Sequence, residues 1–93
     1  MYFANEAHRM SEEYAKVADY AIDFAEGVIE KCRNGIDKAI TNGYFVFCTH
    51  YTLRNTAIAQ RVEYILKNYF AFFGYGVEIE HRDDDNYFVR ISW

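Results

Sequence analysis

Proline is absent from the 93 residues, and only five glycines and two cysteines occur. A chain without proline is built of long elements rather than irregular loops. Two cysteines cannot supply the disulfide framework of small secreted scaffolds, so the sequence points to a reducing, cytoplasmic setting. No apolar run approaches the ~18–20 residues a membrane span needs, and the first residues lack a secretion-signal pattern. A basic surplus is missing as well. Ten Lys and Arg against fourteen Asp and Glu leave a net charge of −4, which argues against a phosphate-backbone binder. What remains is 52% hydrophobic and 26% charged, a globular rather than a disordered composition. The length suits a single domain, residues 1–93.

Aromatic residues are plentiful. Nine Tyr, eight Phe and one Trp make up 19% of the chain. A domain this small has little interior in which to hide so many rings. Either some of them line an interface, or the exposed patches exceed what a soluble monomer tolerates.

The first segment, residues 1–43, reads as a long or broken helix. Asn5 is placed to cap it, and Glu6 falls in the first turn, where the helix dipole favours an acid. Apolar positions follow at Ala7, Met10, Tyr14, Val17, Ala21, Phe24 and Val28, alternating steps of three and four. That is the a/d seam of a coiled coil, and it assigns Met10, Tyr14, Val17, Ala21, Phe24 and Val28 to an oligomer interface. Past Val28 the steps lengthen to Cys32, Ile36 and Ile40, as in a stutter. Asn34-Gly35 is a candidate break, while Asn42-Gly43 is a stop signal. An unbroken helix over 5–42 would run ~57 Å. A compact domain of this length is only roughly 30 Å across. The rod would overhang its own domain, and identical copies are the simplest cover for the overhang.

Residues 44–51, YFVFCTHY, read as a strand covered on both faces. Residues 52–74 form a second helix, capped by Thr52 or Asn55 and ended by Gly74. Residues 75–93 form a β-hairpin turning at Arg82-Asp83-Asp84-Asp85-Asn86. Closure by Arg82 and Asn86 sets Glu78 opposite Arg90. The fold class is therefore α+β: a long N-terminal helix, then β-α-β-β with a three-stranded antiparallel sheet.

Chemistry-bearing residues are few. Strand alternation puts Cys48 and His50 on one face, with His81 a candidate third ligand, but no spacing typical of a metal site occurs. Cys48 reads more simply as a small apolar residue. Cys32, Cys48, His8, His50 and His81 supply types used in nucleophilic catalysis without a motif to organise them. No glycine-rich phosphate loop is present. The reading is thus of a protein without catalytic residues, cofactor or metal. Arg54, Arg61 and Lys67 on a helix before a hairpin imitate a winged helix, yet the wing would carry three aspartates facing phosphate. His50, Tyr51 and Arg54 surround the start of the second helix, where free N–H groups favour an anion. They form the candidate binding site for a small anionic, nucleotide-like ligand.

The run from AITNGYFVF through the second helix to FFGYGVEIE and FVRISW resembles small uncharacterised proteins of tailed phages and prophages. Gly74-Tyr75-Gly76-Val77 and Ile91-Ser92-Trp93 carry the likeness, over about the C-terminal two-thirds of the chain. The longer aromatic opening segment departs from that pattern. The resemblance implies a phage setting and no catalytic residues. On it rests the expected role: an accessory protein, homo-oligomeric, that binds a host-defence component or a small anionic ligand. A virion structural or assembly protein and a nucleic-acid-binding regulator are the alternatives.

Overall fold

In the computed structural model, which describes residues 3–83 and 85–93 and leaves out the side chain of Tyr14, the first helix is unbroken. α1 spans Ala4–Thr41. It starts one residue before the expected cap: Phe3 is the N-cap, without a side-chain hydrogen bond, and Asn5 instead accepts the Glu6 N–H at 3.0 Å. Gly43, at φ 79°, closes the far end in the left-handed region. Its N–H donates to the Ile40 carbonyl, and the Tyr44 N–H to that of Ala39. The rest of the chain is β1 (Val46–Thr52), α2 (Thr56–Phe72), β2 (Gly76–His81) and β3 (Asn86–Ser92).

Gly35 sits inside α1 because of what lies against it. A Cβ at this position would collide with the ring of Phe47 on β1. The glycine lets the strand approach the helix, which offsets its poor helix propensity.

The sheet order is β1-β3-β2, with β3 antiparallel to both neighbours. β1 and β2 therefore run in the same sense, and α2 is the crossover between them. Val46 and Gly76 both pair with Ser92, while Tyr51 and His81 both pair with Tyr87. The hairpin closes as expected, with Arg82 N–H donating to the Asn86 carbonyl and Glu78 opposite Arg90.

Both helices cover one face of this sheet. Tyr87, Val89 and Ile91 of β3 are buried there, beside Tyr51 of β1, with Phe47, Val77 and Ile79 half-buried. α1 contributes a stripe of mostly small residues: Ala21, Ala25, Val28, Cys32, Ile36 and Ala39. Bulk comes from α2 through Val62, Leu66 and Phe70. The opposite sheet face is open to solvent. Here β1 departs from the expected strand covered on both faces: Val46, Cys48, His50 and Thr52 are all exposed. The molecule has a single helical layer, so one face of an edge strand stays bare.

The shape is long. The radius of gyration is 16.1 Å and the extents are 58 × 27 × 18 Å. The greatest extent matches the ~57 Å of a 38-residue helix, so α1 sets the length of the molecule. None of the described side chains between Ala4 and Tyr20 is buried. That stretch, ~25 Å of helix, forms an arm beyond the packed body.

Candidate functional site

Strand parity decides the fate of the proposed anion pocket. His50 and Tyr51 are neighbours on β1, so their side chains leave opposite faces of the sheet. His50 lies on the open face, 5.8 Å from the Phe88 ring, while its carbonyl accepts from Lys31 Nζ at 3.5 Å. Tyr51 is buried on the helical face. Arg54, almost fully exposed, places Nε 3.6 Å from Asp85 Oδ2, in the hairpin turn. The start of α2 is capped by Asn55, which accepts the Ile58 N–H at 3.1 Å. The three residues therefore do not converge on one ligand, and the nearest cation faces an acid.

The same parity separates the candidate metal ligands. Cys48 and His50 share the open face, but His81 stacks on Tyr87 at 4.4 Å, on the helical face. Among the described residues, no group of three or more His, Cys, Asp or Glu could hold a metal ion. Asp85 of the acidic turn pairs with Arg54, and the Leu53 N–H donates to its carbonyl. Asp84 lies outside the described residues. On α2, Arg61 and Lys67 are both exposed, with Lys67 Nζ 2.9 Å from Glu63 Oε1, while Arg54 lies before the helix rather than on it.

What the strands do bring together is a row of rings. His81, Tyr87 and Tyr51 are in register across β2, β3 and β1, with Tyr87 and Tyr51 stacked at 5.2 Å. Phe24 of α1 meets Tyr51 edge-on at 5.8 Å, and Tyr20 stacks on Phe24 at 6.5 Å. This ladder fastens α1 to the sheet where the arm begins. Burial pushes the Tyr51 hydroxyl above its ordinary pKa, with Glu63 and then Tyr87 adding to the rise. The hydroxyl makes no hydrogen bond to a described group.

The interface residues read from the heptad divide along α1. Ala21 and Val28 are buried in the chain's own core, and Phe24 packs against Tyr51. Met10 and Val17 are half-buried on the arm, and the Tyr14 side chain lies outside what is described. The correction is one of occupant: from Ala21 onward, α2 and the sheet cover the seam.

Two features went unread in the sequence. A shallow groove of about 670 Å³ runs between α1 and α2, lined by Ile22, Glu26, Ile29, Arg33, Ile65 and Tyr69. It continues past Arg33, Asp37 and Tyr69 into a second hollow of about 320 Å³, bounded by Phe73 and Tyr75. Beyond it, at the end of the sheet where β1 and β2 begin, exposed rings gather: Tyr44, Phe45, Phe72 and Phe73. The signal was present in the exposed-ring arithmetic, but only the topology could bring residues 44–46 and 72–73 to one end. Comparison with family models, with characterised proteins and with solved structures finds no match to this chain.

Proposed function

We propose that this chain is a non-enzymatic accessory protein of phage type, acting as a homo-oligomer that binds a host-defence protein through the arm of α1. The observation that carries this reading is the continuation of the apolar heptad into the arm, where the described members Met10 and Val17 are not buried in the chain's own core. A helix laying an apolar stripe into another protein's groove is an established recognition mode, read through anchors at such spacing. Charged residues fill the rest of the arm, with Glu6, Arg9, Glu12, Glu13, Lys16 and Asp19 keeping it solvated while unbound. The phage setting comes from the resemblance, and a cytoplasmic location from the cysteine count. A small anionic ligand at His50, Tyr51 and Arg54 has less support, because their side chains diverge.

The test compares the full chain with a Met10→Asp/Val17→Asp variant, both purified by tag from the same host cytoplasm. A host protein retained by the parent and lost by the equally helical variant is the expected result. Identical retention by both chains overturns the arm as the contact. A marked rise in melting temperature with a nucleotide panel would instead support the small-ligand reading.

A further inference from the structure

Three stretches of the sequence carry no Asp, Glu, Lys or Arg: residues 39–49, 68–77 and 91–93. The fold brings all three to one end of the molecule. The C-terminus of α1, the loop into β1, the C-terminus of α2 and the start of β2 meet there, because Val46 and Gly76 both pair with Ser92. The Trp93 N–H donates to the Phe45 carbonyl, and Tyr75 meets the Trp93 ring edge-on at 5.9 Å, joining the three segments directly. The arm points away from this pole.

Large apolar side chains stand bare here. Phe72 is 83% exposed, Phe45 72%, Tyr44 62% and Phe73 59%, with Ile40 and Val46 beside them. The four rings alone present about 550 Å² of surface, taking ~200 Å² for a fully exposed ring. That already approaches the largest patch of an ordinary soluble monomer, and Ile40 and Val46 add to it. Together they come near the ~800 Å² per partner of a standard interface.

We infer that this uncharged aromatic pole is the surface through which two copies of the chain associate. The inference rests on the homo-oligomeric reading above and names the surface. Charge selects the occupant. Each chain carries a net −4, so two copies repel wherever their charged surfaces face one another. The pole, whose three segments carry no charged side chain and whose neighbouring Asp37 shares a hollow with Arg33, is where they can meet with the fewest opposed like charges. A two-fold contact also requires the same patch to be complementary to itself, which an uncharged cluster of rings satisfies. A lipid surface fits less well. Interfacial binding draws on a surplus of basic residues around the apolar face, whereas here Arg33 shares its hollow with Asp37 and Lys67 is paired with Glu63, on an acidic chain.

The test is sedimentation of the full chain over a micromolar concentration series, beside Phe45→Ser/Phe72→Ser and Met10→Asp/Val17→Asp variants. Circular dichroism and urea midpoints verify that each variant is folded, and both phenylalanines are exposed enough to be replaced. The parent should sediment at twice 11.0 kDa, the arm variant likewise, and the phenylalanine variant should dissociate at least ~10-fold more readily. A dimer kept by the phenylalanine variant and lost by the arm variant overturns the pole while preserving self-association. A parent that is monomeric at every concentration overturns both, leaving partner capture by the arm as a separate matter. A monomeric parent that co-sediments with phosphatidylcholine vesicles assigns the pole to membrane instead.

Discussion

The two halves of α1 carry similar apolar spacing and meet opposite surroundings. From Ala21 to Ala39 the stripe is roofed by α2, β1 and the aromatic ladder, and six of its residues are buried. From Ala4 to Tyr20 no described side chain is buried, and Met10, Val17 and Ala18 are no more than half-buried. The residue sizes differ in a telling way. The covered half buries Ala21, Ala25, Cys32 and Ala39, small side chains that let another element come near, besides Val28 and Ile36, whereas the bare half has one alanine, Ala7, in its heptad beside Met10 and Val17. Spacing marks a face of a helix. Side-chain size and the rest of the fold decide what that face receives.

Placing the same charge in each half breaks or sharpens this contrast most strongly. Val28→Asp buries an unpaired carboxylate and should cost more than about 3 kcal/mol in urea unfolding. Val17→Asp, on the arm, should stay within about 0.5 kcal/mol. Equal losses would mean that the arm is packed after all. The glycines of α1 give a second matched pair. Gly35→Ala meets the Phe47 ring and should destabilise by about 1–3 kcal/mol, whereas Gly27, with nothing within 4 Å, should gain up to about 1 kcal/mol as alanine.

Smaller effects probe the roofed half further. Burial pushes the Cys32 thiol up from 9.0 to about 11, with Lys31 partly opposing the rise. The folded thiol thus stays neutral where an unfolded one ionises. Stability should hold below pH 9 and fall as pH rises towards 11, by at most about 1.4 kcal/mol per pH unit for this one proton. Cys32→Ala should flatten that alkaline limb in pH-dependent urea midpoints, and alkylation of the native parent should label exposed Cys48 alone. Tyr51→Phe removes a buried hydroxyl that has no partner among the described residues and should stabilise by about 1 kcal/mol by the same assay. On the open sheet face, a double-mutant cycle on Glu78 and Arg90, 3.7 Å apart and both exposed, should return only about 0.2–1 kcal/mol.

Much of the fold was legible because local chemistry forces it. Gly43 and Gly74, at positive φ, end both helices where their stop signals stand. Asn55 caps α2, and the Arg82–Asn86 closure sets the hairpin register. The candidate site was less legible. His50, Tyr51 and Arg54 lie close in sequence, and closeness along a strand is misleading, since successive side chains part to opposite faces. The bare faces of β1 were hidden as well: Phe, Val and Tyr mark strand propensity without telling how many helical layers will cover the strand.

The sequence by itself determined the element types, their order and the glycine-marked C-terminal ends of both helices, because capping residues, glycines and apolar period act over a few residues of chain. The starts of α1, β1 and α2 fell one to four residues from where they were expected. It also determined that exposed rings would be in excess, from composition alone. Only the tertiary structure decided that β3 lies between β1 and β2, that α1 is unbroken with Gly35 against Phe47, and that three uncharged segments meet at one pole. Those outcomes depend on which distant surfaces exclude water together, and pairing across tens of residues leaves no local trace in the chain.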